Sequence, residues 1–291
     1  MKAGIFNDIG IEEYHAEKAW FSSTALRKAK KSLKLFKLYL NGDYDDEEKP
    51  QFDFGNAFEL ALLDPSEFDR KVAVETDILN AIFEAKPDTK SPRSTSMYKD
   101  WFDEQKRLNK YVIPADGKNS FRTIEEMLKS CYADAVIQKL IKNIEYNYSI
   151  CWIDPETGLQ LKTRPDICKV KKNIIVDVKT SLDGSPEAFS KALANYDYPF
   201  QAVMQIDGVL QSGFMEQVDN YFWLVIEKEP PFSATLYEFQ KEDIEFCFDE
   251  YKYTLNIVAN AIKEDQFPSY NQRADNKYGI LQAELPLWYR R

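Results

Sequence analysis

An α/β fold, with a mixed central sheet flanked by helices, is predicted by three observations. Between positions 146 and 180, apolar and β-branched residues run or alternate in three short stretches separated by turn signals. Helical periodicity surrounds them, most plainly over 241–264, where Ile244, Phe248, Tyr251, Leu255, Val258 and Ile262 form one apolar face. The 291 residues are 44% hydrophobic and 14% aromatic, which is ample for a core.

The elements follow in order. A helix is predicted over 20–40, with Ser22 or Ser23 as its N-cap. A polar loop over 41–51 contains the acidic run Asp43 to Glu48. A second helix over 53–63 ends at Asp64-Pro65. Residues 85–100 are rich in Pro, Ser, Lys and Thr and read as a mobile loop. Helices over 97–109 and 119–142 precede strands near 146–153 and 159–169, joined by the turn Asp154-Pro-Glu-Thr-Gly158. A strand over 173–180, helices over 186–194 and 199–213, and strands over 219–228 and 234–239 complete the core. One domain is expected: an N-terminal helical arm (1–50), a core (51–270) and a C-terminal tail (271–291).

The segment Thr163-Arg-Pro-Asp166 followed by Val176-Asp177-Val-Lys179 carries the chemistry. If Lys171 and Lys172 turn an antiparallel hairpin, Asp166 falls opposite Asp177, roughly 5 Å away at Cβ. A bulge or longer turn would shift that pairing by a residue. Asp177 and Lys179 share a face, while Ile174, Val176 and Val178 face a core. Two adjacent carboxylates repel unless a cation compensates them, and magnesium prefers carboxylate oxygens and water. A lysine beside such an ion suits a phosphate. The pattern D-x-K is short, and a solvated hairpin with a surface ion pair also satisfies it.

With its flanks, the chain resembles the PD-(D/E)XK nuclease superfamily. Pro165-Asp166 corresponds to the "PD" and Asp177-Val-Lys179 to the "DXK". More narrowly it resembles the RecB-like branch and its exonuclease VIII (RecE) type from phage and prophage recombination modules. Phe54-Gly-Asn-Ala-Phe-Glu59 is similar to that branch's upstream helix, and Gln201-Ala-Val-Met-Gln205 to its Gln-x-x-x-Tyr helix, with Gln205 where Tyr is usual. Glu13-Tyr-His15, Phe21-Ser-Ser-Thr-Ala-Leu26 and the ending Leu285-Pro-Leu-Trp288 are similar to the same group, so the likeness spans nearly the whole chain. The family usually has a Glu near position 147, where this chain has Asn147, with Glu145 nearby.

The resemblance implies a restriction-endonuclease-like core. It also implies a Mg²⁺-dependent deoxyribonuclease, with Mn²⁺ able to substitute. The activity implied is a 5′-to-3′ exonuclease on linear double-stranded DNA ends in phage-type recombination. A structure-specific endonuclease or repair nuclease on the same core, and a catalytically decayed DNA-binding protein, are the alternatives. Glu59, Asp166 and Asp177 become the expected metal ligands. Lys179, with Asp166, Asp177 and Gln201, becomes the catalytic set. A ring-shaped homo-oligomer and a single-strand annealing partner are further expectations. Gly55 would let the upstream helix pack closely on another backbone. Glu59 otherwise reads as an exposed helix residue, and Gln201 as a surface amide.

Charge adds local detail. Arg164 would face Lys179 across the hairpin, and two cations so placed want an anion such as DNA phosphate. Lys162 projects to the same side. Pairing with Asp or Glu is the other reading for both. The run Arg27 to Lys37 holds six cations and no acid, so Lys28 and Lys31 are candidate DNA contacts on a basic helix face that could equally be solvated. The net charge of −10 argues against a general DNA-coating protein. His15 is the single histidine, which argues against a His-based zinc site or a Ser-His-Asp hydrolase. Cys131, Cys151, Cys168 and Cys247 lack C-x-x-C spacing and read as buried free thiols. No run of 18 apolar residues and no signal-peptide segment occur, so a cytoplasmic protein without a membrane span is expected.

Overall fold

The chain passes from one sheet to another at Arg164-Pro165-Asp166, and that crossing positions the site. The structure, a computed structural model, describes residues 1–44, 50–270, 280–285 and 289. The expected acidic run beyond Tyr44, most of the tail and Pro286 to Trp288 of the ending lie outside these residues.

The N-terminal third comprises β1 (Gly4–Phe6), α1 (Ile11–Ala16), α2 (Ser23–Lys31), α3 (Leu33–Asn41), α4 (Pro50–Leu63), α5 (Pro65–Lys71), β2 (Val72–Val74) and α6 (Thr76–Ala85). Next come α7 (Ser96–Arg107), β3 (Tyr111–Ile113), α8 (Phe121–Ala133), α9 (Ala135–Ile141), β4 (Ser149–Ile153) and β5 (Gln160–Thr163). The chain continues with β6 (Ile167–Lys169), β7 (Ile174–Ser181), α10 (Pro186–Tyr196) and α11 (Tyr198–Gln211). It closes with β8 (Asn220–Glu227), β9 (Ala234–Glu238) and α12 (Lys241–Glu264).

The expected mixed sheet is β6-β7-β8-β9, in which β7 and β8 run parallel and the outer pairs antiparallel. The α10–α11 segment is the crossover that a parallel pair requires. A separate antiparallel sheet has the order β1-β4-β5, and β2 pairs with β3 alone. The strand expected over 159–169 is therefore two strands in two sheets. Pro165 has no N–H to give a ladder, so the chain turns there. The hairpin register is nonetheless the one the sequence predicts: Ile167 pairs with Val176, Cys168 with Ile175 and Lys169 with Ile174. Its connection is longer than two residues, a 3-10 turn over Val170–Lys172 closed by Asn173 at φ 56°.

Polar caps divide two helices that the periodicity leaves whole. Ser32 is extended (φ −165°, ψ 126°) and its Oγ accepts from Leu35 N, so 20–40 becomes α2 and α3, with Ser22 capping α2. Asp134 accepts from Val136 N at 2.7 Å and Ile137 N at 2.9 Å, separating α8 from α9. The expected mobile loop over 85–100 is largely fixed. Arg93 grips buried Glu75 with two guanidinium nitrogens, the closer at 2.6 Å, Tyr98 bonds the same carboxylate, and Thr95 caps α7.

The N-terminal segment is not an arm. β1 pairs with β4, and Phe21 bridges to Leu161. Leu26 and Phe36 are fully buried with Trp152, Met204, Trp223 and Tyr251 in the core on the α11 side of the main sheet. The opposite face packs Val176, Val178, Leu224 and Ile226 against Phe58 of α4 and Ile124 of α8. Glycine matters for close approach at Gly208 rather than Gly55. A Cβ on Gly208 would lie 2.7 Å from Thr163 Cγ2 and 2.8 Å from Trp152 Cζ3, whereas one on Gly55 would meet Thr180 Oγ1 at an ordinary 3.6 Å. The four cysteines are free; Cys131, Cys151 and Cys168 are buried and Cys247 is half-buried. Among the described residues no helix is long and apolar enough to cross a membrane.

Candidate active site

Strand alternation decides which side chains meet. On β7, Val176 and Val178 enter one core, so Asp177 and Lys179 turn to the other face, where α11 lies. Asp166 stands one residue before β6, next in register to Asp177, and its Oδ2 accepts from Val178 N at 2.7 Å. Asp177 is fully buried. Its Oδ2 lies 2.5 Å from Lys179 Nζ, and its Oδ1 accepts from Gln201 Nε2 at 3.2 Å and Gln205 Nε2 at 3.5 Å. Lys179 Nζ also donates to Gln201 Oε1 at 3.4 Å and sits 4.8 Å from the Tyr198 ring centre. Helical spacing of four sets Gln201 and Gln205 one above the other toward Asp177.

The electrostatics are those of a site short of positive charge. Burial pushes the Asp166 carboxyl well above the usual range, and Glu59 and Asp177 push it further. Burial also lifts Glu59 of α4 to about 7; Asp177 adds to this, while Lys179 and Arg164 oppose it. Burial alone would lower Lys179, but Asp177 and Asp166 outweigh it and hold the ammonium charged. Asp177 Oδ2 faces that ammonium without hydrogen-bond geometry, leaving a buried acceptor with no hydrogen-bond donor. Among the described residues no group of three or more His, Cys, Asp or Glu side chains is already closed around a metal position. The donor set nevertheless fits a hard divalent cation. Three carboxyl groups share one field, two of them carry raised pKa values, and the third, Asp177, is buried with one oxygen against a single ammonium.

A cleft of about 790 Å³ opens beside this set, bordered by Glu59, Asp166, Gln201 and Gln205 and, from the N-terminal segment, by Ile9, His15 and Ser23. Arg164 also lines it. Its guanidinium donates to Ile9 O and Ser149 Oγ, both at 2.9 Å, and to Asn147 Oδ1 at 3.2 Å. Asn147, in the left-handed region at φ 63°, thus holds Arg164 where the resemblance led one to expect a carboxylate.

Lys162 is not at the cleft surface. It is 3% exposed, its Nζ donates to the Tyr14 and Glu17 carbonyls, and burial lowers its pKa to about 8. Lys162 is therefore not placed to contact a phosphate, contrary to the expectation from its position on the hairpin. Lys28 is also buried, its ammonium 5.1 Å from the Tyr39 ring centre and 5.3 Å from that of Tyr44. Lys31 is exposed on α2. The basic helix is largely spent inside the molecule. Lys30 pairs with Asp197 at 3.1 Å and Glu250 at 3.0 Å, and Lys37 with Asp265 at 2.9 Å. Sequence reasoning missed Tyr198 under Lys179, and Tyr221, whose hydroxyl donates to Gln205 Oε1 at 2.7 Å. No local pattern marks either; only the seating of α11 over β7 and β8 does.

A family described as a PDDEXK-like domain of unknown function (DUF3799) matches residues 22–277. The chain belongs to this family. The match takes in Glu59, Asp166, Asp177, Lys179 and Gln201. Among solved structures, this PDDEXK-like chain is similar to a candidate exonuclease from Eubacterium rectale. The two share 12% identity over 96% of each chain with a TM-score of 0.56, which shows a common fold. Slighter likenesses are to a phage related exonuclease from Haemophilus somnus (13% identity, 67% of this chain and 96% of that one, TM-score 0.29) and an alkaline exonuclease from Laribacter hongkongensis (9%, 72% and 97%, TM-score 0.26). No curated protein matches the sequence.

Proposed function

We propose that this PDDEXK-like protein is a divalent-metal-dependent deoxyribonuclease, acting as a 5′-to-3′ exonuclease on the ends of linear double-stranded DNA. The observation that carries this reading is the meeting of Asp166, Asp177 and Lys179 beside a cleft, with Glu59 and Gln201 converging from separate helices.

Asp166 and Asp177, with Glu59, would hold the ion, Mg²⁺ or Mn²⁺. Bound there, such an ion supplies an activated water and neutralises the phosphate. Lys179, an ammonium beside Asp177 and Asp166, would stabilise charge developing on the phosphate. Gln201 bridges Asp177 and Lys179 and fixes the ammonium's direction. Arg164, tethered through Ile9, Ser149 and Asn147, adds fixed positive charge to the cleft wall. The ring-shaped oligomer and the annealing partner belong to the same proposal, on the resemblance alone.

The test is digestion of 5′- and 3′-end-labelled linear duplexes with Mg²⁺ or EDTA. Wild-type protein should release 5′ nucleotides only with the metal, and Lys179→Ala should be slower by roughly 10²–10³-fold. Equal rates in the variant would overturn the assignment. Cleavage of covalently closed circles would replace the exonuclease by an endonuclease.

A further inference from the structure

The corner between α10 and α11 stacks two tyrosines beside Lys179 in a way a continuous helix does not allow. Residues two apart on a helix point away from each other. Asp197 interrupts the helix in the left-handed region at φ 53°, and the rings of Tyr196 and Tyr198 lie stacked, with centroids 5.4 Å apart and planes at 24°. The inner ring, Tyr198, carries the Lys179 ammonium 4.8 Å from its centre. The outer ring, Tyr196, is 60% exposed. Among the described residues it has no second aromatic neighbour. The strained residue is braced from outside: Lys30 pairs with Asp197 at 3.1 Å, and Arg27 Nη1 donates to Tyr196 O at 2.5 Å. Arg27 also donates to Thr24 Oγ1, and Thr24 lines the cleft. Arg27 thus links the corner to Thr24 of α2.

A ring that is 60% exposed at the end of such a stack buries little apolar surface. It does suit a planar ligand, since every nucleobase offers a π-face. The ammonium lies 4.8 Å from the Tyr198 ring and that ring 5.4 Å from the outer one, so the outer ring is within reach of a nucleotide whose phosphate is at Lys179. We propose that Tyr196, backed by Tyr198, is a stacking platform for an unpaired base of a DNA strand whose phosphate lies at Lys179. This rests on the nuclease reading and adds that the strand reaches the site single-stranded. Tyr196 is a positioning residue and Asp197 sets its angle.

The test uses full-length protein, a single-stranded oligonucleotide carrying 2-aminopurine, and calcium in place of magnesium to prevent cleavage. Wild type should quench the fluorophore, Tyr196→Phe should match it, and Tyr196→Ala should weaken binding roughly five- to hundredfold and lose the quenching. With magnesium, Tyr196→Ala should raise KM by a similar factor and leave kcat within about threefold. Equal binding and quenching by wild type and Tyr196→Ala would overturn the platform and leave the nuclease reading standing. Loss in Tyr196→Phe equal to that in Tyr196→Ala would also overturn it, since the ring is kept. Unchanged cleavage in Lys179→Ala would instead overturn the nuclease reading.

Discussion

Two half-buried lysines, each beside two aspartates and next to α11, behave in opposite ways. Lys252 of α12 lies 2.7 Å from Asp154 Oδ1 and 3.7 Å from Asp207 Oδ2. Every carboxylate oxygen in that group has a donor. Asp154 Oδ2 accepts from Thr157 N and Oγ1, Asp207 Oδ2 from Tyr251, and Asp207 Oδ1 from Gln211. Burial alone would raise Asp154, yet Lys252 and Thr157 hold it below the usual range; burial wins only at Asp207. Around Lys179 the acids outnumber the donors. Asp177 Oδ2 lacks a hydrogen bond, Asp166 is raised, and Glu59 is raised to about 7. The first group is a clamp that fixes the β4–β5 turn to α12. The second gathers three carboxyl groups about one ammonium, which supports the proposal that it takes up a cation.

The contrast can be broken by experiment. The largest expected effect is at the clamp. Lys252→Met strands the fully buried Asp154 carboxylate and should cost about 3–5 kcal/mol in denaturant unfolding, with no recovery on adding Mg²⁺. Next, Mg²⁺ at a hundredfold excess over its Kd should stabilise wild type by about 2.7 kcal/mol, read as a rise in melting temperature. Asp177→Asn should abolish that rise; an unchanged rise would place the ion elsewhere. The smallest effect concerns pH. Glu59 keeps its proton in the fold up to about 7 but loses it near 4.5 when unfolded. The contribution of Glu59 to stability in EDTA should therefore be full below about 4.5 and be lost as pH rises through about 7. Glu59→Gln should flatten that fall, and an identical slope in the variant would remove Glu59 from the group.

Much of this was legible where chemistry is local. The hairpin register follows from the Lys171-Lys172 break and the alternation of Ile174, Val176 and Val178, and it holds despite the longer turn. Helix α12 is bounded as its apolar period predicts. The division of 159–169 was hidden because Leu161 and Ile167 are equally apolar, and only Pro165 hints that they serve different sheets. The basic helix was misleading for a different reason. The partners of Lys30 and Lys37 are Asp197, Glu250 and Asp265, all more than 160 residues away, and charge counted along the chain cannot register them. Lys162 looked like a surface cation because its acceptors are backbone carbonyls, which no residue type announces.

The crossing at Pro165 has a mechanical consequence. Asp177 is bolted into β7, which has β6 on one side and β8 on the other. Asp166 rides on the three-residue bend before β6, the outermost strand, beyond which lies only the isolated Glu145–Cys168 bridge among the described residues. Asp177 is therefore held within a ladder, whereas Asp166 is held to the same strand through its side chain, at Val178 N. Arg164, through its hydrogen bond to Ile9 O, ties the bend before β6 to the N-terminal segment. A disturbance near Ile9 would be felt at Asp166 before it reached Asp177.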